Sequence, residues 1–287
     1  MKGKTVLVTG STGGIGKETA RGLARRGARV VLVGRDPARG RAAAAEIARD
    51  TGNEHVEAAA ADLTTREGVR ALASWVRDRH DRLDALINNM GATTPARTLT
   101  ADGIETMFAA HVLTPFTLTR LLRPVLGARA RVVNITGGIP GGPIDPGNLQ
   151  GERRFLGWTF SQYNHTKTML MAMSRRMAGE LAPDGVAVNV AYPGHGYTPM
   201  NRAMRVRAFP YAYRPVAPVV KLIAPVLLAD LTKATRSSLY LACSPDVAEV
   251  TGAYFDQHCR RRPWPPSVLD PVAGDRVWEL CEKLSAA

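Results

Sequence analysis

The stretch Val6-Leu7-Val8-Thr9-Gly10-Ser11-Thr12-Gly13-Gly14-Ile15-Gly16 decides the fold. A short apolar run ends in a glycine cluster, and a helix-forming segment, Lys17 to Arg26, follows at once. Glycines let the backbone approach a pyrophosphate closely, and the free N–H groups at the start of a helix favour its negative charge. The spacing Gly10, Gly14, Gly16 is not the G-x-G-x-x-G dehydrogenase fingerprint. The weight comes from context, with a strand before the glycines and a helix after them.

Outward from this point, strand-like and helix-like segments alternate. Thr5–Val8, Arg29–Val33, His55–Ala59, Leu83–Ile87, Arg131–Ile135 and Val186–Val190 are apolar runs, each separated from the next by a helical pattern such as Glu18–Arg26 or Pro37–Asp50. Continuous apolar strands alternating with helices predict a parallel sheet covered on both faces. The fold class is therefore α/β, a Rossmann-type doubly wound parallel sheet in three α/β/α layers. The 287 residues, 45% apolar, suit one domain of about residues 1–258. The Gly- and Pro-rich segment Gly137–Gly157 predicts a long, functional loop. Residues 259–287, with Pro263, Pro265 and Pro266, predict an irregular tail with a short final helix.

Composition narrows the function. The net charge is +13, and 31 of the 38 basic residues are arginine. They are scattered, apart from Arg202-Arg205-Arg207 and Arg260-Arg261-Arg262. That favours a solvated basic surface, able to attract anionic cofactors, over a nucleic-acid face. The stretch Pro215 to Leu231 is broken by three prolines, Lys221 and Asp230, so no membrane span is expected. Cys243, Cys259 and Cys281 form no C-x-x-C pair, which predicts a reducing compartment and no metal site. With the glycine loop starting so soon after Met1, no signal peptide is expected either, and the expected location is cytoplasmic.

Tyr163 and Lys167 stand at i and i+4 in the helical segment Gln162–Leu181, so they share one face. A phenol has a pKa of about 10, and a neighbouring ammonium lowers it, which would let Tyr163 exchange a proton with a substrate oxygen near neutral pH. The bland alternative for such a pair is two surface side chains.

With these motifs in order, the chain resembles the short-chain dehydrogenase/reductase (SDR) family over about Lys4 to Gln257. It looks most like the retinol-dehydrogenase-like branch, on the long loop before Tyr163 and the segments Ser238–Ala242 and Gly252–Phe255. The resemblance implies roles for several positions. Thr9 to Gly16 matches the T-G-x-x-x-G-x-G cofactor loop, giving Gly10, Ser11, Thr12, Gly14, Ile15 and Gly16 as cofactor-binding. Asp62-Leu63 matches the pair that meets the adenine, and Asn88-Asn89-Met90-Gly91 matches N-N-A-G, with Asn89 and Gly91 at the cofactor. Pro193, Gly194 and Thr198 match the segment that holds the nicotinamide carboxamide. Tyr163 and Lys167 would be catalytic and also touch the cofactor.

Cofactor choice follows from charge. An acidic residue ending the second strand binds the ribose hydroxyls of NAD(H) and repels a 2′-phosphate. Here Gly34 holds that position, and Arg35 follows, suited to a 2′-phosphate. Alternatively Arg35 is merely solvated; Asp36 is expected to cap the helix begun by Pro37. NADP(H) is expected over NAD(H).

The match fails at two places. The family's carbonyl-binding serine falls on Gly137 of Asn134-Ile135-Thr136-Gly137-Gly138. Thr136 is the nearby hydroxyl, usable only if the backbone turns there, and Ser161 is badly placed. The family's helix asparagine, part of a proton relay, falls on His111, which would either continue that relay or be a buried histidine. The segment 199–231 occupies the substrate-covering region. Met200, Met204, Phe209, Tyr211 and Tyr213, with Trp158 and Phe160, would line a wide apolar pocket or form ordinary core.

The expected function is reduction of a ketone or aldehyde, or the reverse oxidation, on a bulky apolar small molecule of a biosynthetic pathway. The alternatives are redox-neutral chemistry (dehydration, epimerisation or cyclisation) and an inactive NADP(H) sensor. A homodimer is left open.

Overall fold

A computed structural model of the chain describes residues 1–138, 141–155, 159–194, 196 and 230–286. Eight strands form one sheet in the order β3-β2-β1-β4-β5-β6-β7-β8. Every pairing is parallel except the last, β7 with β8. The strands are β1 Thr5–Thr9, β2 Arg29–Gly34, β3 Val56–Ala60, β4 Leu83–Asn88, β5 Leu126–Ile135, β6 Ala187–Ala191, β7 Tyr254–Phe255 and β8 Arg261–Arg262. The helices are α1 Gly14–Ala24, α2 Pro37–Thr51, α3 Arg66–Arg79, α4 Thr106–Phe108, α5 Thr114–Leu122, α6 Thr159–Leu181, α7 Arg236–Cys243, α8 Pro266–Leu269 and α9 Pro271–Ala286.

The apolar runs are continuous because successive side chains enter different cores. Leu7, Val31, Val33, Leu86 and Val132 pack with Leu72 of α3, Phe116 of α5 and Met173 of α6. Val6, Val8, Val30, Leu32 and Ile87 pack with Leu23 of α1, Ile47 of α2 and Leu241 of α7 on the other face. Period-2 geometry thus turns one apolar string into two covered faces. The strand order changes direction at β1, between β2 and β4, and ligands of such sheets bind at that switch point.

Two elements differ from expectation. Helix α1 begins at Gly14, not Lys17, so the last glycines of the loop form its first turn. The C-terminal segment is also far from irregular. Arg261–Arg262 pair with β7, and the prolines open helices, Pro266 at the start of α8 and Pro271 at the start of the 16-residue α9. Trp278 of α9 is 4% exposed, meets the Phe116 ring edge-on at 4.9 Å and carries the Arg176 guanidinium over its face at 4.7 Å. Removing this ring leaves a cavity beneath α9. Trp278→Ala is therefore expected to lower unfolding stability by about 3–5 kcal/mol, read by urea denaturation; a change within ~0.5 kcal/mol would show that the helix is a dispensable tail.

Candidate active site

The glycine loop is bolted to the end of β4. Thr9 Oγ1 accepts from the Asn89 and Met90 amides at 3.0 and 3.1 Å. The Asn89 side-chain amide donates to the Thr9 and Gly10 carbonyls at 3.0 and 3.1 Å. Gly10 has φ +62°, and a Cβ there would lie 2.8 Å from Met90 Cα. At Gly16 a Cβ would run into the Asn89 amide nitrogen and the Gly10 carbonyl. Glycine is required by this packing.

Ser11 is fully buried. Its hydroxyl donates to the Val8 carbonyl (2.6 Å) and accepts from the Val33 amide (3.0 Å), so the side chain ties β1 to β2. Helix α1 starts from extended Gly13 with no side-chain cap and no acidic residue in its first turn. Its positive end is thus suited to an anion, with Gly14, Ile15 and Gly16 as the first amides. Across from it, a Cβ on Gly196 would lie 3.8 Å from Ile15 Cδ1, which brings the segment after β6 to this loop.

At the end of β2, a Cβ on Gly34 would lie 2.5 Å from Thr12 Cγ2, so no acidic side chain fits there without moving Thr12. Arg35 is exposed. Asp36 caps α2, accepting from the Ala38 and Arg39 amides at 2.8 and 3.1 Å. One Asp62 oxygen accepts from the Thr64 amide and hydroxyl at 2.9 and 2.7 Å. Leu63 is buried, and its carbonyl accepts from Thr114 of α5. Pro193 is buried, and Gly194, with φ +74°, lies against the Gln257 side chain. Thr198, Met200, Met204, Phe209, Tyr211, Tyr213, Trp158 and the Phe160 side chain lie outside the described residues, as does most of 199–231.

Tyr163 and Lys167 lie on α6, beside the ends of β5 and β6. The Lys167 amine is buried, donates to the Ile135 carbonyl at 2.8 Å and sits 5.8 Å from the Tyr163 ring centre. Burial lowers Lys167 to about 7. Tyr163 is pushed up to about 12, first by burial and then by neighbouring Tyr192. Burial thus moves Tyr163 in the direction opposite to the acidification expected from a neighbouring ammonium. Removal from water favours the neutral form of both groups, and the amine bonds to a carbonyl.

Gly137 faces the tyrosine: a Cβ there would lie 2.7 Å from Tyr163 Oη. Thr136 is 2% exposed and its hydroxyl points to the Lys167 carbonyl at 3.5 Å, the long end of a hydrogen bond. The Thr136 hydroxyl is thus directed at the backbone of α6.

His111 lies in a buried π-helical turn, Ala109–Leu113, between α4 and α5. Its Nε2 accepts from the Ala92 amide at 3.0 Å, which places the proton on Nδ1, 2.7 Å from Thr166 Oγ1. Thr166 in turn donates to the Gln162 or Tyr163 carbonyl, at 3.1 or 2.9 Å. The His111 ring meets the Tyr163 ring edge-on at 5.0 Å. Burial, with Lys167 adding to it, holds His111 well below the usual imidazole range. Both nitrogens hold structural partners, so the histidine clamps the chain after Gly91 to the tyrosine's helix.

Sequence reasoning missed Tyr192, half-buried and electrostatically coupled to Tyr163; its place directly before Pro193-Gly194 was the available signal. It also missed a buried polar chain under the site. Asn88 Nδ2 donates to Asn134 Oδ1, and Asn134 Nδ2 to Ser174 Oγ, both at 2.8 Å. Polar residues closing apolar strands were the signal there.

A family model described as short chain dehydrogenase matches residues 4–207. The chain belongs to the short-chain dehydrogenase family. It lies in the retinol-dehydrogenase-like branch of these oxidoreductases: retinol dehydrogenase 13 of Homo sapiens is 34% identical over 285 residues, 98% of this chain and 84% of that protein. Among solved structures, the RhlG/NADP complex of Pseudomonas aeruginosa is 27% identical with a TM-score of 0.68, over 89% of this chain and 95% of that one. An actinorhodin polyketide ketoreductase variant with NADPH is 25% identical with a TM-score of 0.65, over 88% and 95%. Among the described residues of this short-chain dehydrogenase, no helix is long and apolar enough to cross a membrane, and no His/Cys/Asp/Glu group could hold a metal.

The buried lysine has a measurable consequence. Between about pH 7 and its unfolded pKa of about 10.4, the unfolded chain binds the Lys167 proton and the folded chain does not, so stability rises with pH across that window. Lys167→Met removes this cost. Its melting temperature is expected to exceed wild type at pH 7 and below, with the gap closing towards pH 10. A gap independent of pH would show that the amine is not desolvated.

Proposed function

We propose that the chain is an NADP(H)-dependent oxidoreductase that reduces a ketone or aldehyde of a bulky apolar metabolite. The observation that carries this reading is Tyr163 beside Lys167 on α6, joined through His111 to the chain that clamps the glycine loop. A proton donor must be neutral when the carbonyl arrives, as a phenol is near neutral pH, and burial pushes Tyr163 further the same way. The residues fit a dinucleotide. The uncapped start of α1 suits the pyrophosphate, Asp62 and Leu63 the adenine, and Pro193 and Gly194 the nicotinamide end. Gly34 and exposed Arg35, with the Asp36 carboxylate held in its cap, suit a 2′-phosphate. Two related structures hold NADP and NADPH, and the retinol and polyketide substrates in relatives' names support a large apolar substrate.

When bound, the dinucleotide supplies a hydride to the carbonyl carbon. Tyr163 Oη gives its proton to the oxygen, Lys167 holds the ribose, and His111 keeps the phenol in register with the loop. Gly137 in place of a hydroxyl favours a second reading, redox-neutral catalysis or NADP(H) sensing. Product without a change in nicotinamide absorbance supports the former, and tight NADPH binding without turnover the latter.

The test is consumption of NADPH with a panel of bulky ketones. Tyr163→Phe is expected to lower kcat at least ~10²-fold while NADPH affinity changes only a few-fold; unchanged kcat removes Tyr163 from catalysis. Arg35→Glu is expected to reduce the preference for NADPH over NADH by about tenfold or more, since a charged hydrogen bond is lost and repulsion added. An unaltered ratio places the 2′-phosphate elsewhere.

A further inference from the structure

A carbonyl oxygen gathering negative charge accepts two hydrogen bonds, and losing one well-placed donor costs on the order of 10²-fold in rate. Tyr163 Oη supplies one. The position that faces this hydroxyl, so close that a Cβ would lie 2.7 Å away, is Gly137, which has no side chain to supply the other. Thr136 is turned to the Lys167 carbonyl, and Ser161 is exposed two residues before Tyr163 on α6. Neither of these two hydroxyls stands where a side chain at Gly137 would.

We infer that Gly137 makes this site selective for carbonyl compounds that carry their own donor, hydroxy ketones in which a neighbouring O–H closes an internal hydrogen bond onto the reacting oxygen. The inference rests on the reductase reading above and names its substrate class. The glycine contributes in two ways. It leaves the oxygen without the donor that a side chain facing Tyr163 Oη would supply, which penalises simple ketones, and it lets the tyrosine hydroxyl sit closer to the backbone than any Cβ would allow. The step balances. A C–H bond forms at the carbonyl carbon with the hydride's electron pair as NADPH is oxidised, and the C=O π pair moves to oxygen. That oxygen takes the Tyr163 proton, while the internal hydroxyl keeps its own proton and only strengthens its hydrogen bond.

The experiment compares 1-hydroxy-2-acetonaphthone with 2-acetonaphthone, which lacks the hydroxyl, within the ketone panel. Each kcat/KM is divided by that ketone's borohydride reduction rate, which removes intrinsic reactivity. Wild type is expected to favour the hydroxy ketone at least tenfold after this correction. Gly137→Ser should lose most of the preference, and Gly137→Ala, which adds bulk without a hydroxyl, should retain it. A second readout needs no turnover: the bound hydroxy ketone should keep the red-shifted emission of its proton-transferred tautomer, the mark of an intact internal bond. If the serine variant does not fold, the wild-type comparison and this emission decide.

Equal corrected rates in wild type, an unaltered preference in Gly137→Ser, equal loss in both variants, or loss of the tautomer emission overturns the inference. So does turnover confined to panel ketones without such a hydroxyl, and Tyr192 is then the first residue to replace in search of a protein donor. These outcomes leave the reductase reading standing. NADPH binding with no ketone consumed removes that reading, and the inference with it.

Discussion

The site depends on a run of hydrogen bonds joined by the short stretch of backbone from Asn89 to Ala92. It starts at the Gly10 and Thr9 carbonyls, passes through the Asn89 amide to the end of β4, and continues from the Ala92 N–H to His111. From His111 it reaches Thr166 and the backbone of α6 one turn from Lys167. The glycine loop and the Tyr163 helix are far apart in sequence and share no strand. This run sets their separation. The π-helical turn Ala109–Leu113 holds the imidazole between the two chains it joins.

What could be read beforehand follows from where each signal is stored. Strands β1 to β6 were legible because a sheet covered on both faces stores its burial as local apolar runs such as Val6-Leu7-Val8. The Tyr163/Lys167 pair was legible from spacing, and the Asp36 cap from Asp-Pro chemistry. The C-terminal helices were not, because Pro266 and Pro271 sit at first helical positions, where proline favours a helix, and residue counts record them only as breakers. The ionisation of Tyr163 and Lys167 was not legible either. Spacing says that two groups are close, whereas burial by β5, β6 and the π turn decides which protonation state each holds. The orientation of Thr136 was hidden for the same reason, since one more residue in a strand reverses the face.

The arginine excess also finds a use in the structure. Arg21 is 6% exposed and ties Glu18 of its own helix to Glu46 and Asp50 of α2. Arg123 joins Asp184 at 2.6 Å, Arg120 reaches Glu180 and Glu282, and Arg176 reaches Asp275 of α9. Arg131 donates to the Leu241 and Ser244 carbonyls at the end of α7. These arginines bridge elements, as a planar fork with several donors does well. The exposed pairs contribute at most about 1 kcal/mol each, so they fix geometry more than they add stability. They are dispersed over several helices and do not build a single basic face.

Burial sets the resting protonation of the pair on α6. A neutral phenol gives a proton readily to an oxygen gaining charge, whereas oxidation of an alcohol requires the same group as phenolate. Burial pushes Tyr163 up to about 12 and Lys167 down to about 7, so both groups are moved towards their neutral forms. A positive charge entering this pocket would be felt across a few ångströms of low dielectric and would draw the tyrosine towards phenolate. The protonation of the pair is thus set by burial and by the charge of whatever fills the cleft.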